Sequence, residues 1–303
     1  MTVINTNTAA TITANALTKN ERAMSQTMER LSTGQRINSA ADDAAGLAIS
    51  SRMTSQINGL NMAVRNANDA ISMVQTADGA LVEVTNMLQR MRELAVQAAS
   101  GTMGTTDIAA LDTEFDALRE EINRIALNTE WNGSALFPTG SASATSFQIG
   151  ANASQTISVT FANIQSLGDS NEATTDTNSI FGGSKLDNDG DGNNDDDDLG
   201  SFDLTSSTAA IGPAGAIYGI DAAIGILNTE RATLGATLNR LEYAADNLAN
   251  ISQNTSASRS RILDADYAAE TTELARTQII QQAGTAMLSQ ANQQAQSVLA
   301  LLK

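Results

Sequence analysis

A heptad-like seam of apolar residues runs through the first third of this 303-residue chain. From Met53 to Ala98, apolar residues recur at alternating steps of four and three, the spacing of a helix that packs along a partner helix. The alternation fails once, because Ile71, Val74 and Ala77 follow one another at steps of three, a stammer that locally overwinds a supercoil. About 60 residues at 1.5 Å each predict a rod of roughly 90 Å, which a globular domain rarely needs.

Start and stop signals frame this helix. Ser39 and Asp42 have the spacing of a capping box, and Asp42 and Asp43 would place negative charge in the first turn, where the helix dipole favours it. Gly101 is expected to end the helix, and Gly34 lies in a break before it. An earlier amphipathic helix is predicted before that break, with Glu21 at a polar seam position and an apolar stripe of Leu17, Met24, Met28 and Leu31.

Further helices with the same spacing follow the long one. One is predicted over about residues 106–127, and another begins near Ile217. In this second helix Arg231 occupies a position where the heptad spacing would place an apolar residue. The segment 147–161 alternates apolar and polar residues, which predicts a β-hairpin with one buried face. A last helical stretch is predicted from about residue 262 to residue 302. Its stripe includes Ile280, Met287, Ala291, Val298 and Leu301.

Composition excludes several classes of function. The net charge of −17 argues against binding to nucleic acid or anionic membranes, which need basic patches. The chain has no histidine and no cysteine, so His-ligated zinc, cysteine nucleophiles and Ser-His-Asp triads are excluded, and we expect no enzyme. The first eleven residues lack the pattern of a cleaved signal peptide, and no apolar run is long enough to span a membrane.

These patterns predict a mainly α fold. It has long antiparallel, coiled-coil-like helices from both termini, a small β-hairpin region and a short variable surface insert. We predict an inner domain of terminal helices, a rod-like helical domain carrying the hairpin, and an acidic insert, at residues 1–40 plus 260–303, 41–168 plus 205–259, and 169–204 respectively. Periodicity alone leaves open whether the terminal stripes pair with each other, pair with neighbouring copies, or form an ordinary intramolecular bundle.

The acidic insert carries a calcium-loop spacing, D-x-D-x-D-G. Asp187, Asp189 and Asp191 would be the first three ligands, Asn193 would offer its carbonyl, and Asp198 would close the site. The last position lacks the usual bidentate glutamate, and no helix clearly flanks the loop. The alternative is a solvated acidic loop that binds no metal. Serine and threonine are dense over residues 139–208, where either O-glycosylation or ordinary loop chemistry fits.

Several stretches resemble the bacterial flagellin family. They are LSTGQRINSAADDAAGLAIS at residues 31–50, NGLNMAVRNANDAISMVQTADGAL at 58–81, FQIGAN at 147–152, SRILDADYAAE at 260–270 and QQAGTAM at 281–287. The match covers about residues 1–165 and 210–303, in the family's order. The resemblance implies a subunit that is exported through the flagellar secretion channel, assembled at the filament tip outside the cell, and used for swimming.

The resemblance also implies partners and an assembly surface. The partners would be other copies of the chain, the flagellar cap, hook–filament junction proteins and an export chaperone. The terminal helices would be disordered in the monomer and fold on assembly, when burial of their apolar stripes offsets the ordering cost. The residues expected in this inner interface are Leu17, Met24, Met28, Leu31, Ile280, Met287, Val298 and Leu301.

A second surface is implied by the stretch QRMRELAVQA at residues 89–98, which resembles the segment that Toll-like receptors sense in many flagellins. On that match Gln89, Arg90, Leu94 and Gln97 would touch the receptor, with Glu114 on the next helix. The alternative is that these residues form a solvated face or an assembly contact beside the apolar seam.

Two other structural proteins fit parts of the sequence. A hook–filament junction protein shares the terminal-helix architecture, and a secreted coiled-coil adhesin would explain the rods and the acidic insert but not the motifs at both ends. An enzymatic variant with an H-E-x-x-H metallopeptidase insert is excluded because the chain has no histidine.

Overall fold

The structure is a computed structural model that describes residues 7–137, 143–164, 202–206 and 212–300, without the side chains of residues 143 and 294–300. The described residues confirm the mainly α fold. The helices are α1 (Thr8–Thr33), α2 (Ala44–Ala98), α3 (Thr105–Asn128), α4 (Pro213–Leu263) and α5 (Tyr267–Ala300). Two antiparallel hairpins lie between α3 and α4: β1 (Glu130–Trp131) with β2 (Ser134–Ala135), and β3 (Ser143–Gln148) with β4 (Thr156–Phe161).

The chain packs as two compact units. We call the first the terminal unit, which draws its described residues from Met1–Asn58 and Ile251–Lys303. The second, which we call the central unit, comprises the described residues of Gly59–Asn250. Helices α2 and α4 each contribute residues to both units.

In the terminal unit, α1 packs against α5, and the chain breaks that follow α1 and precede α5 are paired. Gly34 ends α1 in the left-handed conformation, with φ of 70°, which glycine adopts without strain. Its carbonyl oxygen accepts a hydrogen bond from the backbone N–H of Ala265 at 3.0 Å, and Gln35 forms a β-bridge with Asp264. The backbone of each break therefore satisfies hydrogen-bonding groups of the other.

The continuous last helix predicted from residue 262 is wrong. Helix α4 ends at Leu263, and α5 begins at Tyr267. The Oδ1 atom of Asp266 accepts a hydrogen bond from the backbone N–H of Ala268 at 3.0 Å, so this side chain caps α5. An aspartate side chain competes with the helix for backbone N–H groups. The break between α4 and α5 therefore forms without glycine or proline.

The capping box predicted at Ser39 is also wrong. The Oδ2 atom of Asp42 accepts hydrogen bonds from the backbone N–H of Ser39 and from its hydroxyl, which closes a turn that precedes the helix. Helix α2 begins at Ala44, and its cap is Asp43, whose Oδ1 atom accepts from the N–H of Gly46 at 2.8 Å. At the other end, α2 stops at Ala98, three residues before the predicted glycine.

The core of the central unit confirms the heptad seam. Val84, Leu88 and Met91 of α2 are fully buried, as are Phe115 of α3 and Leu227 of α4, and all belong to one hydrophobic cluster. Arg231 interrupts the apolar seam of α4, and its Nε atom donates a hydrogen bond to Oδ1 of Asp78 on α2 at 2.9 Å. The polar residue in the seam is therefore neutralised by a carboxylate on the facing helix.

The hairpins contribute buried residues to this core. Asn132 and Gly133 have φ of 51° and 77°, so they form the tight turn between β1 and β2 that their sequence favours. Strands β3 and β4 bury Val159 and Phe161, as the alternation predicts. Strand β3 begins at residue 143, four residues earlier than predicted, because its first half is polar and pairs through backbone hydrogen bonds rather than through an apolar face.

Candidate functional site

The seam between α1 and α5 contains buried polar residues. Asn20 of α1 is 9% exposed and Thr277 of α5 is 1% exposed, and the Nδ2 atom of Asn20 donates to the Thr277 carbonyl oxygen at 2.7 Å. Thr27 is also buried in α1, and its hydroxyl donates to the Ala23 carbonyl oxygen of its own helix. Leu17 lies in the same seam, against Gly284. Leu17, Met24 and Leu31 are half-buried on the same face of α1, at heptad spacing with Asn20 and Thr27, so the seam combines apolar and polar side chains.

Large apolar side chains lie on the other faces of these two helices. Met28 is 55% exposed, Ile280 is 42% exposed and Met287 is 60% exposed. Ile12 of α1 and Ile279 of α5 are likewise exposed. The periodicity of the sequence placed two of these α5 residues, Ile280 and Met287, in one apolar stripe, and both are exposed in the single chain.

The residues predicted to form the inner interface therefore differ in their exposure within the single chain. Leu17, Met24 and Leu31 are half-buried, whereas Met28, Ile280 and Met287 are exposed. The side chain of Val298 and the whole of Leu301 lie outside the described residues. Ile12 and Ile279 were not in the predicted set, since they fall off the heptad steps by which it was chosen.

The receptor-like surface is built around Arg90. Its Nη1 atom contacts Oε2 of Glu93 at 2.9 Å, and its Nη2 atom contacts Oε1 of Glu114 on α3 at 2.8 Å. The hydrogen bond that Arg90 donates to Glu114, and next the one that it donates to Glu93, raise the pKa of Arg90 above its ordinary value. Two of the predicted residues, Arg90 and Glu114, are thereby joined directly across two helices.

The other predicted receptor residues differ in exposure. Gln89 and Gln97 lie on the surface, whereas Leu94 is 1% exposed and belongs to the core cluster. The sequence did not predict a further ion pair, in which Arg92 donates from Nη2 to Oδ2 of Asp221 on α4 at 3.2 Å. That partner lies 129 positions away, so no local spacing could have indicated it.

The calcium prediction lies outside the described residues, since Asp187, Asp189, Asp191, Asn193 and Asp198 all fall between residues 165 and 201. Among the residues that the structure does describe, no group of three or more acidic side chains could hold a metal ion. Calcium binding at the acidic loop stays a prediction. No helix in the described part of the chain combines the length and apolar character needed to cross a bilayer.

A half-buried carboxylate on α3 holds the segment that leads into α4. Phe202 and Leu204 are buried in the core cluster, and the Leu204 N–H donates to Oδ1 of Asp112 at 3.1 Å. Burial raises the pKa of Asp112 above its ordinary value, and the hydrogen bond from Leu204 opposes that shift only in part.

We expect Asp112→Asn to leave the free energy of unfolding at pH 7 unchanged or higher. The amide oxygen can still accept from Leu204, and the cost of burying a charge disappears. Because the folded-state pKa of Asp112 is raised, this cost exists above that pKa and vanishes as the pH falls below the unfolded value. Thermal unfolding at several pH values should show the gain of the variant shrinking in acid.

The control is Asp112→Ala, which removes the acceptor and leaves a buried N–H unpaired, at a cost of about 1 kcal/mol. Equal destabilisation by the asparagine and alanine variants at pH 7 would contradict this account.

Comparison with known proteins covers nearly the whole chain. Residues 4–142 match the family model described as the bacterial flagellin N-terminal helical region, and residues 217–302 match the bacterial flagellin C-terminal helical region. A flagellin of Bacillus subtilis (strain 168) is 43% identical over 314 residues, covering 99% of each chain. Flagellin A of Vibrio anguillarum is 37% identical over 379 residues, again covering 99% of each chain.

Among solved structures, the crystal structure of Bacillus cereus flagellin is similar over 61% of this chain and 88% of its own, with 30% sequence identity and a TM-score of 0.41. The family assignment rests on the two family models and on the full-length identity to the Bacillus flagellin. The chain belongs to the bacterial flagellin family, the structural subunits of the flagellar filament outside the cell.

Proposed function

We propose that this chain polymerises through the outward apolar residues of its two terminal helices, which form the inner interface of the filament. The observation that carries the proposal is that α1 and α5 keep large apolar side chains exposed outside the seam that they share. Met28, Ile280 and Met287 remain open to solvent after the helices have paired within the chain. Exposed apolar groups of this size are stabilised when other copies cover them.

The export route is part of the same proposal. The chain would pass through the flagellar secretion channel and join the filament tip beneath the cap, with an export chaperone covering its apolar termini beforehand. The chain has no cysteine, so no disulfide has to be reduced before it unfolds for transit. The buried polar residues of the α1–α5 seam, Asn20, Thr27 and Thr277, also favour easy separation of the terminal helices, because buried amides and hydroxyls contribute less to stability than apolar side chains.

Removing the C-terminal helix tests this proposal. We expect the purified full chain to form filaments that electron micrographs and static light scattering detect. The chain truncated before Leu263 should remain soluble, since α1 loses its partner and half of the outward apolar surface is absent. Filaments from the truncated chain would refute the proposal. Failure of the full chain to polymerise without a filament partner would favour the hook–filament junction alternative.

We also propose that the surface around Arg90 can be recognised by a vertebrate Toll-like receptor. Arg90, Glu114, Gln89 and Gln97 present a mixed polar surface, and Leu94 supports it from the core. A charged pair with both members about half exposed can exchange its partner for a receptor side chain at little cost, because surface ion pairs are weak.

Arg90→Ala should lower signalling in a receptor reporter assay by about tenfold, since one charged interface contact of this kind contributes roughly 1–2 kcal/mol. The matched control is Arg124→Ala, which removes an exposed arginine that pairs with Glu121 on the same helix. Unchanged signalling by the Arg90 variant, or an equal loss in both variants, would count against the recognition surface. Circular dichroism should show equal helix content in the two variants.

A further inference from the structure

We infer that Asn132 is a site of spontaneous deamidation in the folded chain, and that the product records how long each copy has existed. The site is the Asn132–Gly133 turn between β1 and β2. The modification itself needs no filament. Its use as a record of age rests on the proposed function, in which new copies join at the filament tip.

The reaction is an attack of the backbone on a side chain. The Gly133 nitrogen forms a bond to Cγ of Asn132 and loses its proton, while the C–N bond of the side-chain amide breaks. Ammonia leaves, and a cyclic succinimide remains. Water then opens this ring at either of its carbonyl carbons, which gives aspartate or isoaspartate. Water is the only added reactant, and the glycine leaves its own nitrogen open to the attack because it has no side chain.

A second Asn-Gly step in the chain, Asn58–Gly59, allows two backbones to be compared. Both asparagine side chains are exposed, so access of water does not distinguish them. Asn58 lies inside α2, where the Gly59 N–H donates to the carbonyl oxygen one turn earlier. Asn132 and Gly133 have φ of 51° and 77°, and the Gly133 N–H donates to no backbone carbonyl of the described residues. The attacking nitrogen is therefore held by the helix at one site and not by the turn at the other.

The two sites also differ in what a local opening disrupts. Strands β1 and β2 have two residues each, and both residues of the turn are exposed. A strand pair this short opens at little cost, because it buries little apolar surface. Opening α2 at Asn58 would instead uncover Ile57 and Leu60, which are 8% and 4% exposed. The Gly133 nitrogen can thus turn towards Asn132 while the core stays folded.

The two products affect the turn differently. Aspartate before glycine suits the same turn, so this product keeps the hairpin and adds a negative charge. Isoaspartate routes the backbone through the former side chain, which lengthens it and no longer fits a two-residue turn. Trp131, the only tryptophan of the chain, directly precedes the site and packs half-buried against the core cluster. Its fluorescence therefore reports loss of the turn.

Incubation of the soluble, folded chain in heavy-oxygen water tests the site. Peptide mass spectrometry should find heavy oxygen at Asn132 and at least about a hundredfold less at Asn58, because reaction at Asn58 requires opening of a buried helix. In concentrated urea the two yields should approach each other, since glycine follows both asparagines and no structure protects either. Isoaspartate, detected with an isoaspartate methyltransferase, should accumulate together with a shift of the Trp131 emission.

The control variant is Asn132→Asp, which carries the added charge but has no side-chain amide to release. It should keep the Trp131 emission of the fresh parent chain, because Asp-Gly fits the turn. The inference is overturned if Asn132 reacts in urea but stays unmodified in the folded chain, or if Asn58 reacts as fast as Asn132 in the folded chain.

Filaments grown from the purified chain test the record of age. Product at Asn132 should continue to increase after polymerisation, so that the copies nearest the cell, which were added first, carry most of it. A reaction that stopped on polymerisation would overturn this second step. Failure to form filaments would refute the proposed function, and with it the record of age, but not the deamidation of Asn132, which the soluble chain measures.

Discussion

Replacing Met28, Ile280 and Met287 together with alanine should raise the critical concentration for polymerisation by about a hundredfold. Each side chain is about half exposed in the single chain. Covering the exposed part of one such side chain contributes roughly 1 kcal/mol, so the three together contribute about 3 kcal/mol per subunit. Sedimentation of filaments at a series of protein concentrations gives the critical value.

A methionine elsewhere on the surface provides the matched control. Met62 of α2 is 48% exposed, close to the 60% of Met287, but it lies in the central unit. Met62→Ala should change the critical concentration much less than Met287→Ala does. Equal effects of these two single substitutions would show that exposed apolar area in general, rather than the faces of α1 and α5, determines assembly.

The distribution of charge supports this separation of roles between the units. Residues 1–58 and 251–303 contain nine Lys and Arg against eight Asp and Glu, a net charge of +1. Residues 59–250 contain the remaining eight basic and 26 acidic residues, a net charge of −18. Copies of the chain therefore repel one another mainly through residues 59–250, whereas residues 1–58 and 251–303 can associate without concentrating like charge.

The heptad pattern predicted the core of the central unit well. A residue such as Leu88 or Leu227 is apolar, is buried, and recurs at a spacing that depends only on helix geometry. The start of α2 and the gap between α4 and α5 were predicted less well. Both depend on which aspartate captures a backbone N–H, and sequence spacing cannot distinguish Asp42 from Asp43 when each can cap.

The terminal helices show a different limit of sequence reasoning. Apolar periodicity placed Ile280 and Met287 in one stripe of α5, whereas Thr277 and Gly284 of this helix face α1. Small and polar residues can form a seam when a backbone carbonyl accepts their hydrogen bonds, and hydrophobic periodicity does not detect such a seam. The exposed stripe is then free to bind other copies, which is why a strong apolar period in a subunit of this kind need not mark an internal contact.

We expect Phe115→Ala to lower the free energy of unfolding, because the Phe115 side chain on α3 is fully buried in the core cluster. Removing a buried phenylalanine ring costs about 3–5 kcal/mol, through lost burial and the cavity that remains. Thermal unfolding followed by circular dichroism should therefore show a clearly lower melting temperature. Leu127→Ala, near the exposed end of the same helix, should shift the free energy of unfolding by no more than about 0.5 kcal/mol.

Phe115→Ala and the triple alanine variant of Met28, Ile280 and Met287 together separate folding from assembly. If the central unit folds on its own core, Phe115→Ala lowers its stability, whereas the triple variant of Met28, Ile280 and Met287 leaves the melting of that unit unchanged. A triple variant that melted the central unit as Phe115→Ala does would mean that these exposed side chains stabilise the single chain. Their exposure in the structure argues for the opposite result, because a side chain contributes burial energy only where other atoms cover it.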